Sequence, residues 1–132
     1  MSNATIIDAF PELAPPAPPR LKKVYISHPL RGAPPYTEEQ VQNNIKRITA
    51  TCKRIAGTPF VIPISPIHTF GYLDPLTYDP DKAIRNCLAL LSCCDELWLY
   101  GKWQESEGCN AERAYARKHG IPVHYHYFTG GE

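Results

Sequence analysis

The sequence predicts an α/β domain in three layers, with a mainly parallel sheet of four to five strands covered by helices. Three observations predict it. Short apolar strand patterns alternate with helix-period patterns from Leu21 onward. Capping residues mark the helix starts, and the residue types that bind or react gather in loops that follow strands.

Lys23 to Ser27 (KVYIS) reads as a short buried strand, followed by a proline- and glycine-rich loop from His28 to Pro35. Thr37 to Gln40 (TEEQ) has the form of a capping box, with Thr37 as cap and Gln40 reaching back. Val41, Ile45, Ile48, Cys52 and Ile55 then recur at helical spacing up to Gly57. Pro59 to Ile64 forms a second strand whose prolines place it at an edge or confine them to its ends, and a loop through His68, Phe70, Tyr72 and Asp74 follows.

Asp79 and Pro80 supply an N-cap and a first-turn proline for a second helix, with Ile84, Cys87, Leu88 and Leu91 as its apolar stripe. Asp95 to Tyr100 is a third strand and Gly101 to Gly108 a loop. Cys109 to His119 is a third helix stopped by Gly120, and Ile121 to Tyr125 a fourth strand. Right-handed crossovers between parallel strands turn this order into an open, Rossmann-like sheet. In such sheets ligands bind beyond the carboxyl ends of the strands, here the loops after Ser27, Ile64 and Tyr100.

At 132 residues the chain fits one domain. Five of the 14 prolines fall between Pro11 and Pro19, so residues 1–20 are expected to be a proline-rich flexible arm and residues 21–132 the folded domain. Hydrophobic residues at 43% and charged residues at 20% suit a globular core rather than a disordered chain. Lys plus Arg (14) nearly balance Asp plus Glu (13), which argues against a polynucleotide partner held by a basic field. No apolar run reaches membrane-spanning length and no signal sequence opens the chain, so a cytoplasmic protein without a membrane partner is expected. The five cysteines lack zinc-type or thioredoxin-type spacing; reduced thiols, no metal and no cofactor are the expectation.

The loop after the first strand carries Arg31 and Gly32, and the loop after the third carries Ser106 and Gly108 just before a helix. A helix N-terminus offers unpaired amides, Gly108 permits close approach, and an arginine grips anions bidentately, so the set suits a phosphate. Taken singly, Ser106 and Gly108 also read as an ordinary cap, and Arg31 as a solvated side chain. Glu112 lies one turn past Gly108 on the same helix face; it reads either as a nucleophile or base at the loop mouth or as an acid complementing the helix dipole. Tyr25 points to one face of the first strand and reads also as a core aromatic.

Jointly, Val24 to Gly32 (VYISHPLRG), Cys94 to Gly101 (CDELWLYG) and Ser106 to Ala116 (SEGCNAERAYA) resemble the nucleoside 2-deoxyribosyltransferase-like superfamily. Within it the chain looks most like its small uncharacterised bacterial and phage domains of the DUF4406 type, over roughly residues 22–125. The resemblance implies that Glu112 attacks the anomeric carbon of a deoxyribose or ribose and that Tyr25 steers the carboxylate. It also implies that Arg31, Gly32, Ser106 and Gly108 bind a 5′-phosphate. His28 stands where a small residue is usual and would crowd or recruit substrate. Counting eight back from Asp95, where an acid/base aspartate is usual, reaches Cys87, with Asn86 beside it. His68, Asp74 and Asp81 are the substitute acids considered, with His68 placed among the substrate-binding residues.

The function expected is therefore an N-glycosidase, hydrolase or deoxyribosyltransferase, acting on a nucleoside 5′-monophosphate or related deoxynucleoside. The alternative is a non-catalytic nucleotide-binding or sensing domain of the same fold, and a third reading is an assembly protein that uses the arm. The partner expected is a small-molecule nucleotide or nucleoside. Two tryptophans and eight tyrosines in so small a domain also suggest a homodimer or larger homo-oligomer.

Overall fold

The structure, a computed structural model, describes residues 8–14 and 20–126. Most of the expected proline-rich arm lies outside the described residues; what is described of it contains one exposed 3-10 turn, Pro11–Leu13. The domain then runs β1 (Lys22–Ser27), α1 (Glu38–Ala56), β2 (Val61–Ile64), α2 (Pro66–Thr69), α3 (Pro80–Leu91), β3 (Glu96–Tyr100), α4 (Glu107–Lys118) and β4 (Val123–His126). The four strands form one sheet in the order β2-β1-β3-β4, and every pairing is parallel. No helix among the described residues is long and apolar enough to cross a membrane.

The alternation of side chains along β1 builds the two interior layers. Val24 and Ile26 point to one face, where Ile55 of α1, Cys52 and Tyr100 close over them. Tyr25 points to the other, where it packs with Leu97, Leu99, Leu91 of α3 and Cys109 and Ala116 of α4. The sheet is thus sandwiched between α1 and the α3–α4 pair, the three layers expected of alternating parallel units.

The differences from expectation have local causes. Gln40 does not close a capping box: Thr37 accepts from the Gln40 amide at 3.2 Å, but the Gln40 side chain turns to the Arg31 and Ala33 carbonyls. The second strand begins at Val61 rather than Pro59, because Phe60 takes a left-handed backbone (φ 64) before the chain enters the ladder. A helical turn, α2, interrupts the expected loop after β2, with Ser65 as its cap and Pro66 in its first turn. The last helix begins two residues earlier than expected, at Glu107, because Ser106 caps it by accepting from the Cys109 amide at 3.2 Å.

The chain moves from β1 outward to β2, then returns past β1 to β3 and outward to β4. The order therefore reverses between β1 and β3. At such a switch point the loops leaving adjacent strands diverge to opposite faces and open a crevice at their carboxyl ends.

Candidate functional site

A cleft of about 630 Å³ lies at this reversal. Its walls come from the loop after β1 (His28, Arg31, Gly32), the segment between α2 and α3 (Tyr72, Asp74, Tyr78), and the start of α4 (Ser106, Gly108), with Glu112 at its base.

Glu112 is built into the core. Cys109, Glu112 and Ala116 form the buried stripe of α4, so a carboxyl occupies a place where helical spacing calls for an apolar residue. Glu112 is only 5% exposed, and it is held by two hydroxyls of β1. The Tyr25 hydroxyl donates to Oε2, and the Ser27 hydroxyl donates to Oε1 at 2.7 Å. Residues two apart on a strand share a face, so Tyr25 and Ser27 present their donors side by side to the two oxygens.

Both donors are neutral, and among the described residues no cation is paired with the carboxylate. Burial pushes the Glu112 carboxyl up to about 7, against the downward pull of the Tyr25 and Ser27 hydrogen bonds. Burial, then the charge of Glu112, holds the Tyr25 hydroxyl well above its ordinary value, so Tyr25 stays a proton donor throughout the physiological range. Two thiols complete the wall. Burial and the nearby Glu112 raise Cys87 to about 11 and Cys109 to about 12, so both remain protonated. Cys87, reached by counting back from Asp95, indeed comes close to both Glu112 and Tyr25.

The loop after β1 is fastened from α1. The Gln40 side-chain amide donates to the Arg31 carbonyl and, at 2.8 Å, to that of Ala33; the buried Asn44 donates to the Leu30 carbonyl at 2.8 Å. Gly32 has φ +72, and a Cβ there would stand 2.7 Å from the Gln40 Nε2, so only glycine lets this clamp close. The Arg31 guanidinium lies 4.4 Å from the Tyr36 ring centroid at the cleft. His28 is buried, and its Nδ1 donates to the Pro29 carbonyl at 2.7 Å. Its Nε2 would stand 3.1 Å from a Cβ at Gly101, a glycine with φ +62.

Seven of the eight site residues expected from sequence therefore line one cleft or close its base: Tyr25, His28, Arg31, Gly32, Ser106, Gly108 and Glu112. His68 does not join them. Its Nδ1 lies 2.7 Å from the Ser65 hydroxyl and its Nε2 2.9 Å from that of Thr49, which ties it to α1 beside a separate hollow. Ser27, Gln40 and Asn44 were missed. The period-2 pattern of β1 already put Ser27 on the face of Tyr25, whereas nothing in the sequence marks Gln40 and Asn44 as loop clamps.

The model of a domain of unknown function, DUF7768, matches residues 22–126. The chain belongs to the DUF7768 family. The DUF4406 type named from the motifs is not the family matched. No curated protein matches the sequence. Two solved structures share the fold of this DUF7768 domain. One is the 2-deoxyribosyltransferase of the psychrotolerant bacterium Bacillus psychrosaccharolyticus, with 17% identity and a TM-score of 0.54 over 82% of this chain and 74% of that one. The other is the 2-deoxyribosyltransferase of Leishmania mexicana, with 17% identity and a TM-score of 0.56 over 82% of this chain; the DUF7768 chain covers 65% of that protein.

Proposed function

We propose that the protein cleaves the N-glycosidic bond of a nucleoside or its 5′-monophosphate, with Glu112 as the nucleophile. The observation that carries this reading is the buried carboxyl at the base of the cleft, held on both oxygens by neutral hydroxyls. A carboxylate so placed is oriented by Tyr25 and Ser27 but not neutralised by a salt bridge. It keeps the electron density needed to attack an electron-poor anomeric carbon.

In the reaction the Glu112 oxygen bonds to C1′ as the C1′–N bond breaks. Water, or the hydroxyl of an acceptor, then displaces the glycosyl group and restores the carboxylate. In this reading Arg31 and the amides of Glu107 and Gly108, which no intrahelical carbonyl reaches, hold the 5′ end of the sugar or its phosphate; that all three line the cleft supports it. The shared fold with two 2-deoxyribosyltransferases supports the same chemistry.

A second reading, a nucleotide-binding or sensing domain without catalysis, draws support from Cys87. A thiol raised to about 11 is a poor proton donor to a departing base. Incubation with a panel of nucleosides and 5′-nucleotides, followed by chromatography for free base, separates the two. Base release that disappears in Glu112→Gln supports the enzyme; tight binding of a nucleotide with no base release by the wild-type protein supports the sensor.

A further inference from the structure

The cleft departs from the charge balance of the chain. Its walls carry Glu38, Asp74, Glu105 and Glu107 in addition to Glu112, and among the described residues Arg31 is the only lysine or arginine lining it. Tyrosine rings line the same cleft at Tyr36, Tyr72 and Tyr78, and Tyr36 already carries a flat cation, the Arg31 guanidinium, over its face. Beside the nucleophile, the α3 side chain that comes close to Glu112 is the Cys87 thiol, not a carboxylic acid.

A neutral nucleobase leaves as an anion unless something protonates it, and general-acid assistance is worth about 10²- to 10⁴-fold. A base that is already cationic needs no such proton. We propose that the substrate is an N-glycoside whose base carries a formal positive charge, a pyridinium or an N7-alkylated purinium, and that its ring departs as a neutral molecule. This rests on the N-glycosidase reading above and names its substrate class.

The step balances without an acid. The Glu112 oxygen forms a bond to C1′, the C1′–N bond breaks, and its electron pair goes to the ring nitrogen and cancels the positive charge. Water then bonds to C1′, the C1′–O bond to Glu112 breaks, and the carboxylate is regenerated. One proton passes to solvent per turnover, whereas hydrolysis of a neutral nucleoside releases none. The carboxylates and tyrosine faces of the cleft attract the cationic ring and lose that hold once it becomes neutral, which favours release of the product.

The experiment compares 7-methylguanine nucleosides with guanine nucleosides, and nicotinamide nucleosides with both. Each is supplied as riboside, 2′-deoxyriboside and 5′-monophosphate, and every rate is divided by that of the uncatalysed reaction. The expected result is an acceleration at least about 100-fold greater for the cationic member of the guanine pair. Cys87→Asp is expected to raise guanine release and so narrow that ratio. Where the added carboxyl prevents folding, the wild-type ratio decides alone. Release of nicotinamide but not of 7-methylguanine assigns the pyridinium, and the reverse assigns the purinium. Equal or greater acceleration of guanine release overturns the charge proposal and leaves the N-glycosidase reading standing. No release from either cationic substrate overturns the charge proposal, and the N-glycosidase reading falls with it only when the panel of neutral nucleosides and 5′-nucleotides also yields no free base.

Discussion

Glu112 and Glu96 carry the same carboxyl group on opposite faces of one sheet, and their surroundings drive it in opposite directions. Glu96, at the start of β3, is also partly buried, which pushes its carboxyl up. That push is outweighed by Lys22, whose Nζ lies 2.7 Å away, by the Trp98 indole N–H at 3.0 Å and by His124 at 3.1 Å, so the carboxyl falls below its ordinary value. Glu112 receives two hydrogen bonds and, among the described residues, no ion pair, and burial raises it to about 7. A carboxylate paired with a lysine fastens strands; a buried one held only by hydroxyls holds its charge at a cost.

The sharpest way to break this contrast is to remove each charge in turn. Glu112→Gln keeps the shape and is expected to lower base release by about 10³-fold or more, measured by chromatography. Glu96→Gln is expected to leave release unchanged. A comparable loss from both substitutions would mean that folding, not chemistry, explains the first.

Tyr25→Phe removes one of the two donors and leaves the ring packing in place. A hydrogen bond to a charged group is worth about 1.5 to 3 kcal/mol, so release should fall about 10- to 100-fold. Without that donor the Glu112 carboxyl rises further, so the acid limb of the pH–rate profile, centred near 7 in the wild-type protein, should move to higher pH. An unmoved limb would show that a different group titrates.

The same shift has a signature in stability. The folded Glu112 holds its proton up to about 7, whereas in the unfolded chain it releases it near 4.5. The folded state therefore binds more protons between these values, and wild-type stability falls as pH rises through that window. Glu112→Gln lacks this slope. Relative to the wild-type protein it should gain on the order of 3 kcal/mol above pH 7 and progressively less below, with the pH-dependent part gone near pH 4.5. Urea denaturation at pH 5 and pH 8 measures it, and a constant difference between the two proteins would rule out a raised carboxyl.

The smallest effect is expected at Glu96. Its partner Lys22 is half exposed, so Glu96→Gln should cost less than about 1 kcal/mol, again by urea denaturation.

Much of this was legible in the sequence because it rests on local patterns. The alternation of β1 fixes the side of Tyr25, the serine before α4 marks its start, and the four-residue spacing from Gly108 places Glu112 near the loop mouth. The parallel order followed from strand–helix alternation. What escaped depends on contacts distant in sequence. Ser27 has meaning only once α4 has packed on β1, and Gln40 resembled a capping residue until the loop after β1 came within its reach. His68 was placed with the substrate because a loop after a strand should reach the crevice, but the turn capped by Ser65 carries the imidazole to Thr49 instead. The acidic character of the cleft was hidden in a nearly neutral composition, since its carboxylates come from segments far apart in the chain.

Capture of the covalent intermediate tests the nucleophile most directly. A 2′-fluorinated nucleoside slows the second displacement, so a glycosyl group bonded to the enzyme should accumulate and appear by intact-protein mass spectrometry, with fragmentation placing it on Glu112. Base release with the sugar attached to another residue, or with no adduct at any stage, would contradict a glutamate nucleophile at this site.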